Sequence, residues 1–193
     1  MMTTLTSTST AFRALQRTCT AQTSVTTPLG EVLLVRTAHG LAGAWFEGQK
    51  HHPGRLSAQS SPSDALLAEA AAQLHAYFAG SLMHFELPLD LQGTPFQRRV
   101  WQALRAIAPG HTSTYGAIAT AVGSDAAVRA VGGAIGRNPV SVIVPCHRVI
   151  GRDGTLTGYA GGFERKRALL ALERAAPDSA GAQAALQSSA VTT

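Results

Sequence analysis

Two short helical stretches broken at Gly123-Ser124 constrain this chain more than any other feature. Tyr115 to Val122 reads as one helix, stopped by Gly123, and Ser124 can cap a second from about Ala126 to Arg137, ended by Asn138-Pro139. Two short helices joined by three or four residues form a helix-turn-helix. Thr94-Pro95 caps a preceding helix whose core face is Phe96, Val100, Trp101, Leu104 and Ile107, and Pro109-Gly110 ends it. Next come an apolar run read as a strand, Val140 to Val144, the segment Pro145-Cys146-His147-Arg148 and a glycine-rich loop through Gly162. A last helix runs from Phe163 to about Ala175.

Upstream of Gly93 the pattern changes. Apolar runs at Val32 to Val35 and at Leu41, Ala44, Trp45 and Phe46, cut by Pro28-Leu29-Gly30 and His39-Gly40, read as three short antiparallel strands. A helix opened by Ser61-Pro62, with Asp64 in its first turn, carries the stripe Leu66, Leu67, Ala70, Leu74, Tyr77 and Phe78. Phe85, Leu87, Leu89 and Leu91 alternate as in a strand, with Pro88 favouring an edge. The expected organisation is an amino-terminal α/β unit over 22–92, a three-stranded antiparallel sheet plus a helix. A mainly helical, winged-helix-like unit follows over 93–176. Residues 1–21 are expected to be a disordered leader and 177–193 a disordered tail. The thirteen Ser or Thr, two Arg and no acid of residues 1–27 are also the composition of a transit peptide.

Composition excludes several classes. With 45% apolar and 14% charged residues, wholesale disorder, collagen-like repeats and solenoids are out. No run approaches eighteen apolar residues and no secretory signal is visible, so a soluble, cytoplasmic protein is expected. Cys19 and Cys146 make neither a disulfide framework nor a CxxC zinc pair. Charge is split along the chain. Residues 28–92 hold three basic and six acidic side chains, net −3, whereas 93–175 hold eleven basic and four acidic ones, net +7. That excess fits binding to phosphates; the alternative is a solvated basic face.

The second helix of the pair is unusual. Val128, Val131 and Ile135 form its expected buried stripe, while Ala127, Ala130, Gly133, Ala134 and Gly136 surround one long side chain, Arg129. Each mid-helix glycine costs about 1 kcal/mol relative to Ala, so Gly132-Gly133 asks for a backbone pressed against another surface, inside the protein or outside it. A major-groove reader carries Asn, Gln or Arg, and this face has only Arg129, so a narrow minor groove suits it better. Cys146, followed by His147 and Arg148, is a candidate nucleophile, because neighbouring His or Arg is the usual means of forming a thiolate. Adjacent residues on extended chain face opposite ways, so His147 is expected to act through a water or a turn.

The stretch NPVSVIVPCHRVIG from Asn138 to Gly151, with Tyr115, Arg129, Tyr159-Ala160-Gly161-Gly162 and Glu173, resembles the O6-alkylguanine-DNA alkyltransferases, particularly bacterial ones. The resemblance spans about residues 25 to 175 and its PCHRV core is highly specific. It implies a monomeric direct-reversal repair protein whose helix-turn-helix enters the minor groove of double-stranded DNA and flips out an O6-alkylguanine, or an O4-alkylthymine. The alkyl group then passes irreversibly to a cysteine. On matching positions Cys146 would be the acceptor, with His147 and Glu173 linked through water to draw off its proton. Tyr115 would turn the phosphate and protonate the base. Arg129 would fill the vacated stack, beside Ala127, Ala130 and Gly132 at the DNA. Asn138 would hold the turn, Val149, Cys146 and Ala160 would hold the base through their backbones with Tyr159 in the same pocket, and Arg148 would tie the site to the amino-terminal unit.

No cofactor is implied. Some members carry an amino-terminal zinc site, but His51-His52 lacks partners at ligand spacing, so no metal is expected. Other departures are Ala160 where some members have Ser and Ser141 where some have Pro. Ser141 and the β-branched Thr157 imply poor reaction with free benzylated guanine. Two rival readings are a non-enzymatic alkyltransferase-like lesion binder, which would lack the acceptor cysteine, and a transcription regulator, which would need polar base-reading side chains on the second helix.

Overall fold

The computed structural model describes residues 10–175, with side chains over 13–174. The amino-terminal elements are α1 (Thr10–Thr18), β1 (Cys19–Thr27), β2 (Gly30–Thr37), β3 (Leu41–Phe46), β4 (Gln59–Ser60) and α2 (Ala65–Phe78). The second half holds α3 (Pro95–Arg105), β5 (Ser113–Thr114), α4 (Tyr115–Ala121), α5 (Val128–Gly136), β6 (Val149–Ile150) and α6 (Phe163–Ala175). Single 3₁₀ turns cover Asp125–Ala127 and Cys146–Arg148. An α/β unit followed by a helical unit with a helix-turn-helix is the expected class.

β1 and β2 pair antiparallel with Thr27 opposite Gly30, and β3 pairs antiparallel with β2. β4 adds a short parallel edge beside β1, so the sheet has a fourth strand that the apolar pattern does not reveal. Side chains alternate across a strand, and both faces here are covered. Val32, Leu34, Ala44 and Phe46 face Leu67, Leu74 and Tyr77 of α2 and join one core with Val100, Trp101 and Leu104 of α3. Val35, Ala42 and Trp45 pack on the other side with Leu15 of α1 and Leu56.

Four expectations change. Residues 10–21 are not a disordered leader: they form α1 and the start of β1, anchored by Leu15, Ala21 and Val25. Ser/Thr richness concealed a strand whose few apolar residues sit at inward positions. Residues 1–9 and the expected tail 177–193 lie outside the described residues. Phe85–Leu91 is not a strand but a single parallel bridge, Leu41 to Leu89, because Pro88 has no N–H to extend a ladder. The segment passes so close that a Cβ on Gly40 would lie 2.5 Å from the Pro88 carbonyl oxygen.

Val140–Val144 is likewise no strand. It bridges Ala44 of β3 at Val140, then turns back on itself, with Val144 N–H donating to the Val140 carbonyl and Val142 at φ 72°. Finally, Ser124 makes no side-chain cap. The 3₁₀ turn delays α5 to Val128, which rotates its buried face to Val131, Ala134 and Ile135 and leaves Val128 39% exposed. The Trp101 indole N–H fixes that phase by donating to the Ala134 carbonyl at 2.9 Å.

Candidate active site

Cys146 opens the 3₁₀ turn that follows Pro145, and Asn138 holds the whole approach to it. The Asn138 amide nitrogen donates to the Val144 carbonyl at 2.7 Å and to Cys146 Sγ at 3.1 Å, while its Oδ1 accepts from Val140 N–H at 3.0 Å. One buried amide thereby replaces the ladder that a strand would have supplied. Parallel pairing of β5 with β6, Ser113 with Val149, ties the turn to the start of α4. Burial pushes the Cys146 thiol up to about 11, against the lowering effects of Asn138 and of the Lys166 charge. The thiol is thus held protonated at neutral pH, and nucleophilic chemistry at Sγ would need a base beside it.

That base is available. His147 is fully buried, and its Nε2 lies 2.8 Å from Glu173 Oε1. An ionised carboxylate only accepts, so Nε2 carries the proton and Nδ1 keeps its lone pair. Nδ1 is buried with no hydrogen-bond partner. Burial lowers the imidazole pKa more than Glu173 raises it, so His147 rests neutral. Contact between His147 and Glu173 is direct, with no water between these two side chains.

Glu173 is a hub. Oε1 accepts from His147, from Tyr77 OH at 2.8 Å and from Arg148 Nη2 at 2.8 Å; Oε2 accepts from Arg148 Nε at 2.9 Å and from Gly110 N–H at 3.3 Å. Burial alone would raise its carboxyl, but the hydrogen bonds and charges of His147 and Arg148 hold it far below the usual carboxylate range. Arg148 also donates to the Ile107 carbonyl, and it lines a cleft with Met83, Phe85 and Leu89 of the amino-terminal unit. Tyr77 of α2 links that unit to the site through Glu173.

The loop from Gly151 to Gly162 closes over this turn. Tyr159 is buried with its ring edge-on to His147, centroids 6.5 Å apart. Tyr115, first residue of α4, donates its hydroxyl to the Gly158 carbonyl at 3.3 Å and accepts from Thr157 Oγ1 at 3.1 Å. Lys166 is fully buried and donates to the carbonyls of Val149 and Thr157, leaving Val149 one further lone pair. The Ala160 carbonyl accepts from Lys50 N–H at 2.9 Å, a second link to the amino-terminal unit.

On the outer side of α5, Arg129 and Ala130 are exposed and Ala127 and Gly132 half-buried. Internal crowding does not explain the glycines. A Cβ on Gly132 would meet the Tyr115 ring at an ordinary 3.6 Å, and one on Gly133 only the end of the Arg137 side chain at 3.3 Å.

A buried Cys-His-Arg turn of this kind beside a helix-turn-helix has known counterparts. The 6-O-methylguanine DNA methyltransferase ribonuclease-like domain matches residues 21–91, and the DNA binding domain of the same proteins matches 95–175. The chain belongs to this family. A methylated-DNA--protein-cysteine methyltransferase of Mycolicibacterium paratuberculosis is 48% identical over 151 residues, covering 78% of this chain and 90% of that relative. A methyltransferase of the same name from Methanosarcina barkeri is 46% identical over 150 residues, 77% of this chain and 94% of its own. Among solved structures, Mycobacterium tuberculosis OGT in complex with DNA superposes with TM-score 0.75 at 45% identity, covering 80% of this chain and 92% of that one.

Of the residues singled out in the sequence of this methyltransferase, Asn138, Cys146, His147 and Glu173 converge with Tyr159, and Tyr115 meets the loop that carries Ala160. Arg129, Ala127, Ala130 and Gly132 lie on the outer side of α5, where Gly132 abuts the Tyr115 ring. Tyr77 and Lys166 were missed. Lys166, Leu169 and Glu173 are spaced i, i+3, i+7 on α6, so two charged residues on the apolar stripe of a helix were the available signal. Among the described residues no group of three or more His, Cys, Asp or Glu could hold a metal, and no helix is long and apolar enough to cross a membrane.

Proposed function

We propose that this methyltransferase repairs double-stranded DNA by moving the alkyl group of O6-alkylguanine, and of O4-alkylthymine, onto Cys146 in a single irreversible event within the cytoplasm. The observation that carries this is the Asn138–Cys146–His147–Glu173 constellation, in which the buried His147 Nδ1 has no hydrogen-bond partner. The Cys146 proton leaves through a water to Nδ1, and Glu173 stabilises the imidazolium that results. Sγ attacks the alkyl carbon in line, the C–S bond forms as the C–O6 bond breaks, and the electron pair goes to the base, which Tyr115 protonates. The remaining lone pair of the Val149 carbonyl and the backbone groups of Cys146 and Ala160 hold the flipped base. A thioether is the product, and no thiol exchange reverses it.

Arg129 enters the stack where the base leaves, and the small face of α5 lets the backbone approach the minor groove. The net +7 of residues 93–175 contributes the salt-sensitive phosphate attraction. Both the nucleophile and the proton relay come from side chains, so the transfer requires no cofactor. The deciding measurement is intact mass after incubation with excess O6-methylguanine DNA. One methyl should be gained, on the peptide holding Cys146, and the reaction should then stop. Continued turnover, or methylation of Cys19 with Cys146 unmodified, would refute the assignment.

A further inference from the structure

Glu173 serves His147 through Oε1, and the same oxygen is shared with a side chain from the other half of the molecule. Tyr77, on the buried face of α2, donates its hydroxyl to Oε1 at 2.8 Å. The tyrosine is fully buried, with its ring held against Phe78 at 5.4 Å and Phe85 at 5.3 Å between centroids. Burial and the neighbouring carboxylate charge keep its hydroxyl protonated, so it donates at any working pH. Carboxylate charge offered to one donor is withdrawn from the others.

We propose that Tyr77 is a positioning residue for alkyl transfer, through which the amino-terminal unit limits the support Glu173 gives to His147 and so sets the reactivity of Cys146. The inference rests on the relay reading of His147 and Glu173 given above. Every group facing the carboxylate enters the balance: Tyr77 from α2, His147 and Arg148 from the catalytic turn, and the Gly110 N–H from the segment after α3. Lys166 acts at one remove through His147, and Tyr159 interacts with both Tyr77 and Cys146. With the Tyr77 hydroxyl removed, Oε1 holds the imidazolium more strongly, so the proton leaves Cys146 at lower pH.

The test is the single-turnover rate of methyl transfer from DNA against pH in wild type, Tyr77→Phe, Glu173→Gln and the double variant. Tyr77→Phe should move the midpoint of the profile down by about half a unit or more, whereas Glu173→Gln moves it up. In the double variant the Tyr77 change should add nothing, because it acts only through the carboxylate. A merely structural tyrosine predicts a lower melting temperature with an unmoved midpoint, and that result overturns the proposal while leaving the relay intact. If Glu173→Gln also leaves the midpoint unmoved, the relay reading itself has failed. Should Tyr77→Phe fold too poorly for kinetics, site-specific 3-fluorotyrosine at position 77 keeps the ring and donates more strongly. It should move the midpoint up, and no movement overturns the proposal.

Discussion

The catalytic turn and the outer face of α5 lie in the same unit and follow opposite design rules. Around Cys146 the polar groups are buried and almost fully satisfied: Asn138, His147 and Glu173 are each at most 3% exposed, and Glu173 alone accepts from His147, Tyr77, Arg148 and Gly110. On α5 the side chains are small or exposed, and Arg129 projects from a face with little internal packing to explain it. On the proposed function, chemistry on a buried thiol would demand an over-determined surround, whereas duplex recognition by α5 would demand that the protein withhold side chains. Stability and repair should therefore separate cleanly between the two regions.

The largest effect is expected in the turn. Glu173→Ala leaves the Arg148 guanidinium buried without its partner, which costs roughly 3 to 5 kcal/mol and should be read as a lowered urea midpoint together with lost methyl transfer. The milder Glu173→Gln also tests the pH dependence of stability. The folded carboxyl titrates below its ordinary 4.5, so the unfolded chain takes up the proton first and this stabilisation is lost as pH falls below that value. Wild type should therefore lose melting temperature between about pH 5 and 3 more steeply than Glu173→Gln. Equal slopes would mean that Glu173 is not the buried hub.

Next is Arg129→Ala, which should leave unfolding free energy within about 0.5 kcal/mol of wild type. Repair of methylated duplex should slow at least about tenfold, with the reaction on free O6-methylguanine unchanged, since only the duplex requires a base to be extruded. Equal losses on both substrates would erase the distinction between the regions.

Gly132→Ala sharpens the comparison further. Its Cβ has room, so the helix should gain up to about 1 kcal/mol of stability. Duplex binding should weaken nonetheless, because a methyl group now stands on the face that approaches DNA. A variant both more stable and equally active would show that the bare face is not used.

The smallest effect concerns the loop over the pocket. Thr157→Gly removes the hydrogen bond to the Tyr115 hydroxyl, worth roughly 1 kcal/mol, and should slow duplex repair by no more than about fivefold. It should also quicken reaction with free benzylated guanine, because the β-branched side chain no longer narrows the loop. Ser141→Pro is a poorer probe of the same wall. Ser141 is buried, its N–H donates to the Ala44 carbonyl and its hydroxyl to Gln49 at 3.1 Å, and proline loses both bonds.

The buried Cys146-His147 pair and the helix-turn-helix were legible because each is written locally. Gly123 stops one helix, Thr94-Pro95 starts another, and PCHRV is contiguous. Phase and partnership were not. Val128 belongs to the apolar stripe on paper, but an indole N–H some thirty residues away in the chain, on Trp101, needs the Ala134 carbonyl, and that bond decides which face turns inward. Val140–Val144 has a strand's composition and becomes a turn because the Asn138 amide takes its carbonyls.

Residue types and local spacing were thus sufficient for the family and for the basic half of the chain, since these depend on covalent neighbours and on net charge. The surroundings of the Cys146 thiol depend on groups brought together from far apart. Tyr77 is 96 residues from Glu173 and Lys166 is 17 from Val149, one of the two carbonyls it holds. Burial turns such pairs into strong interactions by removing the water that would otherwise screen them, and burial exists only once the chain has packed.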